Sequence, residues 1–232
     1  MSITVGSGVT LGAGITVTTI PEIVLAGLIV NLDAGNTVSY SGSGSTWVDI
    51  SGAANDATLI GTTPWTSAGA QSSFTFNNGA GYAQGGAILP NTTYTKVAIF
   101  KCYGSFVNLI SGDSANQHAF WGGATPYLVS GHNGAWYTIS SANPAPTNQW
   151  VFSAVSFSNV DGWRLYLNNQ PPVTNADTST FSANPAVVEY GGFDGNANNL
   201  NGDIAVALIY NRVLSDVEIA QLYAHYAGRF IF

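Results

Sequence analysis

From Leu28 to Tyr210 the chain is a succession of short runs rich in β-branched and aromatic residues, broken at close intervals by Gly, Pro, Asn and Ser. The runs fall at Leu28–Asp33, Thr58–Ile60, Ser73–Phe76, Thr95–Cys102, Phe106–Ile110, Ala119–Trp121, Tyr127–Ser130, Tyr137–Ser140, Trp150–Phe157, Trp163–Leu167, Val187–Tyr190 and Ile204–Tyr210. Segments of this length and composition read as β-strands. Asn78-Gly79, Asn133-Gly134 and Asn201-Gly202 lie between them, and Asn-Gly steps favour tight turns because both residues tolerate a left-handed backbone. With no helical segment between consecutive strands, parallel crossovers are unsupported, and an antiparallel sandwich or jelly roll is expected.

The exception is the C-terminal stretch "LSDVEIAQLYAHYAGRF". Ser215 with Glu218 three residues on forms a capping box, in which each side chain satisfies a backbone N–H of the other residue. Leu214 and Ile219 have the spacing of a hydrophobic staple. Gly228 is placed to end the helix. Glu218 therefore has a structural role.

The chain begins differently. Residues Ile3 to Val17, "ITVGSGVTLGAGITV", repeat one apolar-Thr-apolar-Gly phrase twice and begin it a third time. The apolar pairs Ile3/Val5, Val9/Leu11 and Ile15/Val17 alternate as a strand does, while the glycines weaken it. The repeat is too short for a solenoid and cannot bury enough surface alone to offset its ordering entropy. Two readings stand: a glycine-rich leader, or an arm whose six apolar residues add to the sheet edge of a neighbour. Fully extended, the repeat reaches roughly 50 Å. Residues 1–22 are accordingly separated from a single domain at 23–232.

Composition narrows the partners. Charged residues are 7% of 232, and five Lys+Arg face twelve Asp+Glu. No basic run exists to neutralise phosphates, so nucleic acid is not an expected partner. The longest apolar stretch, Ile23–Leu32, contains Asn31 and is far short of the about 20 residues that span a bilayer. Cys102 is the sole cysteine, which rules out an intrachain disulfide and a cysteine zinc cluster. Within a strand it is expected to be a buried apolar residue. The N-terminus lacks the basic segment of a secretory signal, so a protein made in the cytoplasm is expected.

The segment "LNGDIAVALIYNRVLSDVEIAQLYAHYAGRF", Leu200 to Phe230, resembles the closing strand and helix of LamG-like, concanavalin A-like jelly-roll domains. "LDAGNTVSY" and "WVDISGAANDATL" resemble the opening strands of the same domains, and "WVFSAVSFSNVDGWRLYLNNQ" a hairpin into an Asn-rich turn. The resemblance runs from about Ala26 to Phe230. It implies an all-β antiparallel sandwich with one short C-terminal helix behind an extended N-terminal arm. It leaves function open, because this fold serves lectins, glycanases and structural modules alike.

Glycanases of this fold carry Glu-x-Asp-x-x-Glu on one strand, with two carboxylates flanking the glycosidic oxygen. None of the three glutamates completes that motif. Glu189 and Asp194 have the outer spacing, but Gly191 stands where the middle Asp belongs. His118, His132 and His225 lack a recognisable nucleophile, so no catalytic residue is assigned. Phe120, Trp121, Tyr127, Trp136, Tyr137 and Trp163 are aromatic residues of loops, strand ends or the sandwich core. Trp121, Trp136 and Trp163 are the candidate platforms for a neutral sugar. Asp194, Asn196, Asn198 and Asp203 carry hard oxygen ligands, yet their spacing is that of turn chemistry. No metal or cofactor is expected.

The Gly-rich repeat ahead of such a domain also resembles the N-termini of virion structural proteins of tailed phages, marine and cyanobacterial ones above all. That resemblance implies a capsid decoration protein, or else a tail or fibre component. Its arm residues Ile3, Val5, Val9, Leu11, Ile15 and Val17 would anchor it to capsid or other virion proteins. A closed homo-oligomer is then expected, a trimer before a dimer. The alternatives are a glycan-binding, lectin-like module and, behind it, a glycan hydrolase.

Overall fold

The structure, a computed structural model, describes residues 20–77, 79–104, 107–113, 117–123, 127–180, 185–195 and 199–232. The six arm residues Ile3, Val5, Val9, Leu11, Ile15 and Val17, and with them Asn78, Phe106, Asn196 and Asn198, lie outside the described residues.

In chain order the strands are β1 (Leu28–Asp33), β2 (Thr46–Trp47), β3 (Ala57–Gly61), β4 (Trp65–Thr66), β5 (Ser73–Asn77), β6 (Gly81–Leu89), β7 (Thr93–Cys102), β8 (Val107–Asn108) and β9 (Ile110–Gly112). They continue as β10 (His118–Gly122), β11 (Tyr127–His132), β12 (Ala135–Pro144), β13 (Val151–Ser158), β14 (Gly162–Leu167), β15 (Val173–Asn175), β16 (Ala186–Tyr190) and β17 (Asn201–Tyr210), before helix α1 (Asp216–Ala227). The back sheet has the order β15-β14-β13-β7-β17-β5-β4, with β1 also paired to β17. The front layer is made of two sheets, β2-β3-β6-β16-β9 and β12-β11-β10-β8. Leu109, between β8 and β9, donates its N–H to the Phe120 carbonyl at 3.0 Å and joins the two sheets side by side. Every strand pair is antiparallel, as expected where short turns link consecutive strands.

Alternation along the strands builds two apolar layers. On β7, Tyr94, Ala98, Phe100 and Cys102 face the interior between the layers, while Val97 and Ile99 face outward. The interior is completed by Trp47, Phe74, Phe120, Phe157, Trp163 and Tyr190 among others. The outward set is covered by Leu214, Ile219, Leu222 and Tyr226 of the helical segment. The back sheet is thus buried on both faces and the front layer on one.

The helix begins as its sequence predicts. Ser215 Oγ accepts the Glu218 N–H, and Glu218 Oε2 accepts the Ser215 N–H at 2.8 Å. Gly228 follows the last turn in an ordinary right-handed conformation, φ −70°, so its role is to admit Ile20 alongside rather than to supply a left-handed cap. A bidentate pair, Arg229 with Asp33 at 2.5 and 2.9 Å, ties the chain after the helix to β1. Cys102 is fully buried, and burial pushes its thiol pKa up.

Two expectations are corrected. β6 is absent from the expected strands, and the three glycines in "GYAQGGAIL" weaken its strand signal, yet it runs nine residues through the front layer. Asn201-Gly202 is the start of β17 and not a turn. Gly202 is needed there because a Cβ would stand 2.0 Å from the Lys101 carbonyl oxygen on β7. Asn133-Gly134 does form the turn expected of it, with φ of 52° and 79° joining β11 to β12.

Candidate functional site

The solvent face of the front layer carries a cluster of aromatic side chains. On β10, Phe120 faces the interior, so Trp121 points to solvent on the opposite face. Next to it, β12 contains a bulge. Ile139 pairs with Ser130 and Ala135 with His132, so Trp136, Tyr137 and Thr138 stand opposite Gly131 alone. Extra residues of this kind break the alternation and re-aim side chains. Gly131 makes the bulge feasible, since a Cβ there would collide with the Ala135 carbonyl oxygen at 1.7 Å. Tyr137, 66% exposed, consequently meets Trp121 edge-to-face at 5.3 Å between centroids.

Trp136 packs on Phe193 of the turn after β16, also edge-to-face at 5.3 Å. Between these residues lies a cleft of about 160 Å³ lined by Asn108, Ala119, Trp121, Trp136 and Phe193. That volume is below the roughly 300–1,000 Å³ of drug-sized pockets. It suits a single ring held between aromatic walls, with the Asn108 amide as the polar group among the described residues of the lining. None of the five cations lines it. Lys96 is buried in the interior, Lys101 lies over Trp150, and Arg164, Arg212 and Arg229 pair with Asp216, Glu218 and Asp33.

The structure brings Trp121 and Trp136 together and places Trp163 elsewhere. Trp163 is 1% exposed and stacks in the interior against His132 at 4.5 Å and Phe157 at 4.7 Å. It stands at the floor of a separate cleft of about 230 Å³ with His132, Thr138 and Asp177, away from the other two tryptophans. The alternation Trp163, Leu165, Leu167 against Arg164 already placed it on the apolar side of β14. Asn108 and Phe193 were missed by sequence reasoning. Phe193 had a local signal, a lone aromatic in the Gly/Asp/Asn turn "GGFDGNANN"; Asn108 had none.

Glu189 and Asp203 are both engaged by protein groups. Glu189 lies on β16 between the core residues Val188 and Tyr190 and is fully buried. Burial, helped by Asp113 and Asp194, raises its pKa to about 7 against the pull of the Gly195 N–H and Gln84. A raised carboxyl pKa is the property of a general acid, but this group is covered by protein and offers no oxygen to a substrate. Asp203, 6% exposed, accepts hydrogen bonds from Thr75 Oγ1 at 2.8 Å and the Tyr103 hydroxyl at 2.5 Å. Asp194 sits in the exposed turn after β16. Among the described residues no three His, Cys, Asp or Glu side chains converge as metal ligands.

Two histidines and the buried lysine form a separate polar group inside the sandwich. Lys96 Nζ donates to the Ile110 carbonyl at 2.9 Å and to His118 Nδ1 at 2.6 Å. The Tyr94 hydroxyl donates to His132 Nε2 at 2.7 Å, and His132 Nδ1 donates to the Ser179 carbonyl at 3.1 Å. The Ser179 carbonyl fixes Nδ1 as the protonated nitrogen of His132. Burial holds His118 well below its usual range and His132 at about 3.

Residues 90–220 match the Laminin_G_3 family, described as the concanavalin A-like lectin/glucanases superfamily. The chain belongs to this superfamily. No curated protein matches the sequence. Solved structures share the fold at low identity. Domain 4 of AbnA, an extracellular GH43 arabinanase of Geobacillus stearothermophilus seen with arabinotriose, superposes with a TM-score of 0.66 at 17% identity, over 85% of this chain and 98% of that one. The sialidase of Trypanosoma rangeli, in complex with sialic acid, gives 0.63 at 15% identity, over 95% of this chain and 35% of the other. Botulinum neurotoxin type C, whose passage into cells depends on two ganglioside molecules, gives 0.62 at 14% identity, over 86% and 52%. The chain thus spans nearly all of the arabinanase domain and only part of the two larger proteins. At these identities the likeness concerns the fold.

Proposed function

We propose that the domain is a non-catalytic glycan-binding module that takes a neutral sugar ring into the groove between Trp121 and Trp136. The observation that carries this reading is the meeting of Trp121, Trp136 and Phe193 in one solvent-facing cleft with an amide in its wall. Aromatic faces bind the apolar C–H face of a sugar, and a few placed polar groups orient it. The engagement of all five cations elsewhere favours neutral over anionic sugars. Sugar ligands of the arabinanase domain and of the other two proteins agree with such a role in this superfamily. The test is a glycan array at high protein density, followed by titration calorimetry. Wild type is expected to bind a neutral glycan, and Trp136→Ala and Trp121→Ala to lose that binding while their thermal unfolding stays cooperative. Undiminished binding by the double variant, or none to any neutral glycan by wild type, would overturn the reading.

A second reading is favoured by where the chain enters the domain. His225 Nδ1 and Gln221 Nε2 donate to the Pro21 and Glu22 carbonyls, and Val24 is buried with the helix. Residue 20 therefore adjoins α1 on the back layer, and the groove opens on the front. This polarity suits a module displayed on a phage particle, as a capsid decoration protein or a tail component, with residues 1–19 joining it to virion proteins or to further copies in a closed oligomer. Comparing the full chain with residues 20–232 by light scattering tests it. The arm is expected to carry self-association or particle binding with little effect on domain stability, and equal assembly of both forms would refute it.

A further inference from the structure

We propose that Glu189 is a positioning residue of the aromatic groove: its carboxylate latches the turn that sets Phe193 against Trp136. For its consequence on ligands, the inference rests on the glycan-binding reading.

Phe193 lies outside the named strands, in a single bridge position. Its turn is held by the Gly191 N–H on the Leu109 carbonyl at 3.1 Å, by the Leu200 N–H on the Gly191 carbonyl at 3.0 Å, by the long Asp194 N–H contact to the Gly112 carbonyl at 3.4 Å, and by the Gly195 N–H. The Gly195 N–H points at both Glu189 oxygens, 3.1 Å from Oε1 and 3.3 Å from Oε2. Asp194 has left-handed backbone, φ 52°, a conformation that costs a non-glycine residue energy and that the latch helps to keep in place. An N–H shared between two oxygens suits an ionised carboxylate, and charge-assisted bonds are about twice as strong as neutral ones.

Glu189 is surrounded by groups that do not leave with the turn. On β6 and β16's other neighbour β9, Gln84 and Ser111 flank it in register, with Gln84 Nε2 at 3.4 Å. The titratable groups facing it are Tyr82 of β6, Asp113 beyond β9, and Asp194 of the turn itself. Burial raises its pKa to about 7, and the Gly195 N–H is the strongest influence pulling it down. Releasing the turn removes the N–H that both carboxylate oxygens share, while Gln84 and Ser111 stay in register on β6 and β9. The docked turn therefore binds the carboxylate form better. By linkage its docking is fully present at alkaline pH and weakens as pH falls through about 7. Asp194 repels the carboxylate and opposes this, but it is the smallest of the influences on Glu189.

The experiment is an NMR titration of the ¹⁵N-labelled full chain without sugar, from about pH 5 to about pH 8.5. The Gly195 amide and the Trp136 indole N–H are expected to shift together with a midpoint near 7, and Asp194→Asn to lower that midpoint. In Glu189→Gln both resonances are expected to be independent of pH. A Gly195 amide that does not titrate, or one that titrates without a Trp136 response, overturns the proposal, and the wild-type measurement decides this even if a variant fails to fold. With a neutral glycan selected on the array, wild-type affinity is expected to fall several-fold from pH 8 to pH 5.5 and that of Glu189→Gln to stay level. A rise in wild-type affinity on acidification would also overturn it. Coupled titration with no glycan bound at any pH would instead refute the glycan reading and leave the latch standing.

Discussion

Gly131 shows how one residue decides what a neighbouring strand can display. With no side chain, it lets β12 place Trp136, Tyr137 and Thr138 opposite a single position, and the bulge turns two aromatics to solvent. Gly131→Ala is expected to destabilise the domain by about 1–3 kcal/mol, the range of an overpacked site that must shift its backbone, and to weaken sugar binding as well. Urea unfolding and glycan titration of the same variant check both; unchanged stability would mean that the bulge relaxes freely. Lys96 illustrates the opposite case, a lysine retained inside an apolar sandwich, where its Nζ reaches the Ile110 carbonyl and His118 Nδ1 and burial pushes its pKa well down.

Helix α1 is fixed by its local sequence and by the sheet together. Its capping box is complete, and Arg212 adds a bidentate contact to Glu218 at 2.6 and 3.0 Å, holding the Glu218 pKa down at about 2. Ser215→Ala removes the hydroxyl acceptor for the Glu218 N–H and is expected to lower stability by about 1 kcal/mol, read as a lower urea midpoint with unchanged slope. The helix should nevertheless persist, because Leu214, Ile219, Leu222 and Tyr226 stay buried on the back sheet. A variant that loses its helical circular dichroism while the sheet remains folded would show that the cap, and not the packing, holds the element.

Across the whole molecule, acid is expected to destabilise the fold. His118 and His132 are neutral in the native state, His132 down to about 3, while both take up a proton near 6.5 once unfolded. Between those values the unfolded state binds more protons, so stability falls as pH drops. Glu189 acts in the other sense. Its raised pKa contributes stability that is full below 4.5 and lost as pH rises through about 7. One such group offsets part of the effect of two histidines down to about pH 4.5. Below that, Glu189 contributes no further slope, and Glu218 and Asp216, both held below the usual carboxylate range, begin to lose their stabilisation. Unfolding free energies measured from pH 7.5 downward should decline gently and then steeply. A flat or rising profile would contradict the neutral buried histidines.

The sequence by itself determined the strand-rich class, the capped C-terminal helix, the Asn133-Gly134 hairpin and the superfamily, because each is written in contiguous residues: alternation, a four-residue cap, a turn dipeptide and a closing segment. It determined less where the same local signal has two structural meanings. Glycines in "GYAQGGAIL" weaken its strand signal, and only pairing with β3 and β16 makes them a strand. Asn201-Gly202 reads as a turn until β7 packs against it. Of the three candidate tryptophans, Trp163 carries an inward signal in its alternation with Leu165 and Leu167, whereas only the tertiary structure brings Trp121 and Trp136 together. The groove itself draws on β8, β10, β12 and the turn after β16, which are adjacent only because the two front sheets join at Leu109. A site built from side chains brought together by long-range pairing leaves no spacing in the chain by which to recognise it.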